Sequence, residues 1–371
     1  MSTFIDIHVI QNVAPSCLNR DDTGAPKDCV FGGHRRARVS SQCLKRAART
    51  HFASAGLLTP DELAIRTRNI VALISERLAQ QGHDDTTAAI TAALAAVELG
   101  VKAKKAKEEG AEAPAPQTEY LLFLANASVD QLTQLIADNL AELNTGKPSA
   151  ALKKEIAGVL SSASAVDVAL FGRMVADKKD LSVDAAAQVA HAISANKIDR
   201  ESDFFTAVDD WTRSDEADAG MLGTVEFNSS TLYRFATVNL DLLTSNLGGD
   251  RDLALKGLAA FLRSTVLAIP SGKQNTFAAH NLPAAVAIGV HNSQPISLAN
   301  AIEKPVWHGE HPSGLAAASV ARLQQHAGTL TAAYGLDLGL QVMDTTGAWE
   351  GRTVSSLDEL IATSVAAAGA N

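Results

Sequence analysis

The sequence predicts an α+β fold in which a β-sheet domain is interrupted by a long helical insertion and a protruding loop or hairpin. Residues 3–10 and 231–242 alternate apolar and polar side chains, as half-buried strands do. Residues 60–190 show helical patterns throughout, whereas residues 197–230 are polar and contain glycine. Only 5% of the residues are aromatic and alanine is abundant, which favours closely packed helices over an all-β fold. A ferredoxin-like sheet fits this order of elements.

The N-terminal part begins with the strand at residues 3–10. Residues 11–39 are rich in proline and glycine and are predicted to form a long functional loop. Ser40 or Ser41 then caps a helix that runs to about Ala55. The apolar residues of this helix can face a core, which leaves its basic residues on the opposite side.

The middle of the chain is predicted to be helical and to contain no strand. The expected helices lie at 61–81, 84–103, 118–143, 149–162, 164–176 and 183–196. Residues 102–117 are rich in alanine, lysine, glutamate and proline, and we expect a mobile excursion there.

The C-terminal part returns to mixed patterns. After the strand at 231–242, the expected elements are a helix at 251–268, a turn at 270–276, a strand at 285–291, a helix at 313–333, a strand at 336–343 and a helix at 355–368. Strands from both ends of the chain therefore surround the helical insertion.

Charge is distributed unevenly along the 371 residues. The whole chain has a net charge of −9, yet residues 1–59 carry eight basic and four acidic side chains. No carboxylate side chain occurs from Cys29 to Pro60. Because salt screens charges that are more than about 10 Å apart, a local basic surface on an acidic body can still attract phosphate. The acidic remainder would discourage indiscriminate binding.

The strongest local signal lies between Asn19 and Arg46, where arginines, a glycine pair and a serine-capped helix start occur together. Arginine binds phosphate oxygens through two parallel hydrogen bonds, glycine lets a backbone approach a ligand, and a helix N-terminus offers free N–H donors. This combination favours a phosphate-binding surface. The alternative is a solvated basic face that is paired with the acidic body.

Two weaker signals lie elsewhere. The turn that contains Lys273 lacks the spacing of a phosphate loop, which argues against an NTPase and leaves a backbone-contacting loop or an ordinary turn. Met174 and the pair Phe204-Phe205 are either core residues or apolar wedges between bases.

Most catalytic and compartment signals are missing from the sequence. It has no His-Glu-x-x-His or Gly-x-Ser-x-Gly motif, and Cys17, Cys29 and Cys43 have neither disulfide nor zinc spacing. No apolar run approaches the roughly 18 residues of a membrane span. We therefore expect a cytoplasmic protein with no membrane partner, no metal and no cofactor. His34, among arginines, leaves open a general base that cleaves RNA.

Several short motifs are distributed over the chain, at residues 19–22, 31–33, 35–47, 172–174, 190–193, 203–210, 233–235, 239–240, 246–249 and 297–301. Together these motifs resemble the backbone-subunit family of the type I-E CRISPR Cascade complex, the CasC family of the RAMP superfamily.

This resemblance implies a hand-like protein. A palm with a modified RNA-recognition (ferredoxin-like) fold would comprise residues 1–59, 186–196 and 231–371, with helical fingers at 60–185 and a thumb at 197–230. About six copies would form a helical filament along CRISPR guide RNA, together with the other Cascade subunits. Every sixth nucleotide would be kinked out, and the five between would pair with a target DNA strand.

The resemblance also assigns roles to single residues, none of them catalytic. The RNA backbone would be held by Arg20, Lys27, Ser40, Gln42, Lys45, Arg46, Arg49, Lys273 and Gln274. Met174 and Phe205 would flank the kink as apolar wedges. Two other functions stay open at this point. One is an RNA endonuclease that processes repeat RNA with His34, and the other is a protein assembly factor whose basic loop contacts acidic partners.

Overall fold

The computed structural model describes residues 2–103, 114–175, 179–207 and 221–370. The chain divides into two compact units. The first comprises residues 1–55, 187–240 and 258–371, and the second comprises residues 56–186 and 241–257. The mixture of a large antiparallel sheet with several helices confirms the predicted α+β class. The predicted palm, fingers and thumb ranges stay predictions.

Thirteen strands are present in the described residues. They are β1 (Phe4–Ser16), β2 (Asp28–Phe31), β3 (His34–Val39), β4 (Ala64–Thr67), β5 (Val101–Lys102), β6 (Gln117–Thr118), β7 (Leu122–Ala125), β8 (Ala187–Val189), β9 (Ala192–Ser194), β10 (Glu201–Ala207), β11 (Met221–Asn239), β12 (Ala285–His291) and β13 (Leu340–Asp344).

Twelve α-helices accompany them over the same ranges. They are α1 (Ser41–Ser54), α2 (Ile70–Gln80), α3 (Thr87–Ala96), α4 (Asn126–Asp138), α5 (Leu140–Leu143), α6 (Ala150–Ser161), α7 (Val166–Phe171), α8 (Leu240–Asn246), α9 (Arg251–Leu267), α10 (Gln274–Phe277), α11 (Leu315–Tyr334) and α12 (Leu357–Ala370). The strand expected at 285–291 and the helices expected near the N- and C-terminal ends are confirmed to within a few residues.

The first unit is built on a sheet with the strand order β13-β12-β1-β11-β9-β3-β2, and β8 and β10 also pair with β11. The central strand β1 pairs antiparallel with both β11 and β12. Ile5, Ile7 and Val9 are fully buried, as the alternation predicts, but the strand continues to Ser16. The extension follows from β11, whose long backbone supplies partners as far as Asn228.

The other face of β1 buries polar side chains that pair with one another. Asp6 accepts hydrogen bonds from His291 Nε2 at 3.1 Å and from the Ile296 N–H at 2.8 Å. His8 Nδ1 lies 2.9 Å from the Tyr233 hydroxyl. Burial lowers the pKa of His8 to about 4, although Asp6 opposes the shift. His8 is therefore neutral inside the folded unit.

Part of the predicted loop 11–39 is a hairpin, so that expectation is wrong for the residues of β2 and β3. The helix expected at 183–196 is also wrong, because β8 and β9 occupy that stretch and pair with β11. Alanine-rich residues there suggest a helix by intrinsic propensity. Pairing with a strand about 40 to 50 residues away along the chain outweighs a preference worth only tenths of a kcal/mol per residue.

The second unit packs helices α2 to α6 around one apolar core. That core includes Ile70, Ile74, Ile90, Leu94, Leu132 and Ile156. The prediction that this stretch contains no strand is wrong, since β4 pairs with β7 and β5 pairs with β6. All four residues of β7 are buried, which removes the alternation that would have revealed a strand. Residues 104–113, within the predicted mobile excursion, lie outside the described residues.

No described helix is both long enough and apolar enough to cross a membrane.

Candidate nucleic-acid interface

The hairpin of β2 and β3 turns at a glycine pair. Gly32 and Gly33 have φ of +56° and +76°, which suits the two-residue turns that match strand twist. A Cβ at Gly32 would lie 1.9 Å from the Glu303 carbonyl oxygen. Gly32 is therefore required for a close approach, but the backbone that approaches it is the protein's own. The expectation that this glycine admits a ligand is wrong.

Arg36, on β3, is fully buried. Its guanidinium donates four hydrogen bonds of 2.7 to 2.9 Å, to the carbonyl oxygens of Ser194, Ala195, Ile302 and Glu303. It also lies over the Phe31 ring, 5.7 Å from the centroid. Burial lowers the pKa of Arg36. Because the donors of both terminal nitrogens are used inside the first unit, this arginine is a structural clamp and offers no fork to a phosphate.

The other two arginines of β3 also have partners within the protein. Arg35 forms an ion pair with Asp28, which Arg200 contacts at 2.9 Å. Arg38 donates to the Asp28 carbonyl oxygen at 3.0 Å and lies 3.1 Å from His191 Nδ1. The surface charge of this strand is therefore smaller than the sequence indicates.

Helix α1 begins at a cap that fixes its direction. The Ser40 hydroxyl accepts a hydrogen bond from the Cys43 N–H at 3.4 Å, and the Ser40 N–H donates to Asn19 Oδ1 at 2.8 Å. Ser40 is buried. Leu44 belongs to a buried apolar cluster that also contains Val39. These contacts seat one face of α1 and turn the opposite face outward.

The outward face of α1 carries four of the predicted RNA-binding residues. Gln42 and Arg46 are exposed, and Lys45 and Arg49 are partly exposed. Their spacing of three and four residues places them along one stripe of the helix. Partial burial lowers the pKa of Lys45. We call these four residues the α1 stripe. They form a row of donors with no carboxylate on the same helix.

One further predicted residue, Arg20, lines a groove of about 450 Å³, which is bordered by residues 18–22, Gly24 and Gly272. Arg20 is exposed there. A Cβ at Gly272 would lie 2.2 Å from the Leu18 carbonyl oxygen, so the loop before Lys273 passes directly over residue 18. Burial raises the pKa of the Cys17 thiol, and nearby Arg20 and Lys273 both oppose that rise. Arg20 and Lys273 therefore both lie within electrostatic range of Cys17.

Lys27 is partly exposed beside the same turn, where its N–H donates to the Asn19 carbonyl oxygen at 2.8 Å. Asp21 also borders the groove, but its carboxylate is engaged locally. It accepts hydrogen bonds from the Thr23 and Ala25 N–H groups, each at 3.0 Å. The hydrogen bond from the Thr23 hydroxyl lowers the pKa of Asp21. The Asp21 carboxylate is thus hydrogen-bonded by residues of its own turn.

The loop that presents Lys273 is closed by Gln274. The Gln274 amide nitrogen donates to the carbonyl oxygens of Pro270 at 3.1 Å and Ala279 at 3.4 Å. Lys273 itself has φ of +52°, a left-handed conformation that non-glycine residues rarely adopt. In this structure the Gln274 nitrogen shapes the loop, while Lys273 is partly exposed.

The strands β10 and β11 form a hairpin in the predicted thumb, with residues 208–220 outside the described ranges. Every residue of β10 is exposed. Phe204 is 64% exposed and Phe205 is 38% exposed, so both rings are available to a partner. At the base, the rings of Phe227 and Phe277 lie 5.5 Å apart, which joins the hairpin to the Lys273 loop.

In the second unit, a Gly-Arg-Met sequence presents an exposed methionine. Gly172 ends α7 with φ of +76°. The Arg173 guanidinium donates to the carbonyl oxygens of Phe123, Ser161, Ser162 and Leu181 at 2.6 to 3.4 Å. Burial lowers the pKa of Arg173 to about 10. Met174, next in sequence, is 87% exposed. A buried arginine thus fixes the base of an exposed apolar tip.

A model of the family of CT1975-like proteins matches residues 5–363. The chain belongs to the CT1975-like family. This CT1975-like chain is similar to a chain of a solved "CRISPR RNA-guided surveillance complex, pre-nicking", with 35% identity and a TM-score of 0.85 over 98% of this chain and 100% of that one. It is also similar to a chain of a solved "CRISPR RNA-guided surveillance complex", with 31% identity and a TM-score of 0.71 over 98% and 99%. No curated protein sequence matches it.

Arg200, which no local sequence pattern singles out, also shapes this surface of the CT1975-like chain. Arg200 pairs with Asp28 and also with Glu226 at 3.4 Å, which ties the hairpin of β2 and β3 to the hairpin of β10 and β11. Asp28 lies 172 residues from Arg200 along the chain. Since no local pattern links residues so far apart, only tertiary structure could reveal this contact.

His34 of the CT1975-like chain contacts an aromatic side chain. Its ring meets Trp307 edge to face, with centroids 6.1 Å apart. Within the described residues, no group of three histidine, cysteine or acidic side chains has metal-binding geometry.

Proposed function

We propose that this chain is the repeating, guide-RNA-binding backbone subunit of a type I-E Cascade surveillance complex. The observation that carries the proposal is the 35% identity, over 98% of this chain, to a chain of an RNA-guided surveillance complex. About six copies would line one guide RNA, with other Cascade subunits completing a cytoplasmic assembly.

The α1 stripe and the groove beside Arg20 and Lys273 support binding without regard to base sequence. Cations on flexible side chains contact phosphate, which is the same at every nucleotide. In RNA-guided complexes, base pairing identifies the target while the protein contacts backbone and shape. A subunit that is used repeatedly along one guide must tolerate any base, and an exposed row of cations does so.

The exposed apolar side chains suit a second task. Met174 and Phe205 would each act as an apolar wedge beside nucleotides that are displaced from the stack, because stacking on an apolar side chain tolerates any base. Displacing single nucleotides at regular intervals would leave the intervening bases ordered for pairing with a target DNA strand.

The experiment that tests this function is purification of the chain with a guide RNA, followed by nuclease mapping of the protected nucleotides. We expect RNA to copurify, protection to repeat every sixth nucleotide, and the long assembly to fall apart after nuclease treatment. Phe205→Ala should blur the repeat, whereas Tyr334→Ala, at another exposed aromatic residue, should leave it sharp. A chain that retains no RNA at low salt would overturn the proposal.

We also propose that the chain is not an enzyme. Two of the arginines beside His34 are engaged by the protein itself, Arg35 with Asp28 and Arg36 with buried carbonyl groups. Incubation with repeat RNA should therefore give no cleavage. Specific cleavage that disappears in His34→Ala would favour the endonuclease instead. An assembly that survives nuclease treatment would favour a protein assembly factor.

A further inference from the structure

Gly223 lies directly opposite Phe205 in the hairpin of β10 and β11. A Cβ at Gly223 would lie 2.4 Å from Cζ and 2.7 Å from Cε1 of the Phe205 ring. Real Cβ atoms do not approach other atoms so closely. The ring of Phe205 therefore occupies the space that any side chain at position 223 would need.

The backbone gives no other reason for a glycine at this position. Gly223 is not among the glycines with positive φ, so other residues can adopt its conformation. A glycine inside a strand also weakens that strand, since it has no side chain to pack and loses more backbone freedom. Its neighbours Thr224 and Val225 are good strand formers. The compensating gain is room for the ring.

The neighbouring pair shows the alternative arrangement. Phe204 lies opposite Thr224, which has a side chain, and its ring is 64% exposed. Phe205, opposite the glycine, is 38% exposed. The two aromatic residues are adjacent on one strand, so they point to opposite faces of the hairpin, and the ring that meets the glycine is the less exposed of the two.

We propose that Gly223 is a positioning residue for Phe205. Because Gly223 has no side chain, the Phe205 ring can lie against β11 before RNA is bound. A ring that is already placed loses less conformational freedom on binding a base. This inference rests on the proposed function of Phe205 as a wedge, but the position of the ring can be measured without RNA.

The effect of Gly223→Ala on RNA affinity should differ in sign between two explanations, an incidental glycine and a glycine that positions the Phe205 ring. If the glycine were incidental, alanine would strengthen the strand and RNA retention would be equal or better. If the glycine positions the ring, the added methyl group lifts the ring and retention falls. We expect a loss of roughly fivefold or more in RNA affinity and a blurred six-nucleotide repeat. Thr224→Ala, one residue away, should change neither.

The same substitution in a Phe205→Ala background shows whether the effect passes through the ring. Without the ring there is nothing to lift, so Gly223→Ala should then have no further effect on RNA affinity. An equal loss in both backgrounds would mean general damage to the hairpin and would overturn the inference.

The ring itself can be followed in the full-length chain without RNA by placing 4-fluorophenylalanine at position 205. Its fluorine resonance should move in Gly223→Ala and stay in place in Thr224→Ala. A resonance that does not move in Gly223→Ala overturns the inference, whatever RNA does. If the resonance moves but the affinity and the nucleotide repeat are unchanged, the ring is positioned as described and the proposed wedge function of Phe205 is wrong.

Discussion

Residues 29–60 contain no carboxylate side chain, and two neighbouring stretches within them use their basic residues in opposite ways. On β3, Arg36 is fully buried and donates to four carbonyl oxygens, while Arg35 and Arg38 contact Asp28. On α1, Arg46 is exposed, and Lys45 lies partly exposed beside it. Each stretch carries three lysine or arginine residues, and a single capping serine separates the two.

The difference comes from what surrounds each element. β3 pairs with β2 on one side and β9 on the other, so a long side chain that points inward meets backbone carbonyl groups. α1 buries Leu44, Ala48 and Phe52 on one face and leaves Gln42 and Arg46 exposed on the other. A run of arginines therefore shows that cations are present, while the packing of the element decides whether they bind a ligand or the protein itself.

The largest expected effect tests the buried side of this comparison. Arg36→Ala should lower the free energy of unfolding by about 3–5 kcal/mol, because four buried carbonyl groups lose their donor. The midpoint of denaturant unfolding measures the loss. Arg36→Lys should rescue little, since an ammonium group has three donors and lacks the planar fork.

The matched control removes the same charge from the surface. Arg46→Ala should change the free energy of unfolding by about 0.5 kcal/mol or less, because an exposed side chain contributes little to stability. Equal losses in Arg36→Ala and Arg46→Ala would show that burial does not distinguish the two stretches.

Local sequence patterns predict the elements that form regardless of which strands or helices lie beside them. The alternation at Ile5, Ile7 and Val9 indicates a strand whichever strands flank it, and Ser40 marks the start of α1 by its own chemistry. β8 and β9 could not be predicted in this way, because short alanine-containing strands become strands only when β11 pairs with them.

The residues of the candidate site also differ in whether a local sequence pattern predicts their roles. The α1 stripe follows from helical spacing alone, so the sequence predicts that its cations share one face. The role of Arg36 does not follow, because its carbonyl partners lie between 158 and 267 residues away along the chain. Nor does the role of Gly32, which depends on Glu303.

The buried His8 gives a further test of burial, because it makes the free energy of unfolding depend on pH. Burial lowers the pKa of His8 from 6.5 to about 4, so the unfolded chain binds a proton between these values that the folded chain does not. The contribution of neutral His8 to the free energy of unfolding is therefore fully present above pH 6.5, and it is lost as the pH drops from 6.5 to 4. The expected loss from this group is on the order of 3 kcal/mol.

Unfolding measured at pH 7 and pH 4.5 checks this expectation. His8→Gln should remove most of the difference, because glutamine does not titrate. His308→Gln, at an exposed histidine, should leave the difference as it is in the unmodified chain. If His8→Gln keeps the full pH dependence, another group is responsible and His8 does not resist protonation.

The smallest effect tests the exposed side of the comparison, where Lys45 and Arg49 should act on RNA and not on folding. The double substitution to alanine should weaken RNA binding equally for unrelated sequences, since phosphate is common to all of them. The slope of log affinity against log salt should become shallower by about 1.4, because each lost phosphate contact on a single strand accounts for about 0.7. Replacing Lys153 and Lys154, two exposed lysines of α6, removes the same charge and should leave the slope unchanged. Equal changes in both double variants would mean that net charge, and not the α1 stripe, sets the affinity for RNA.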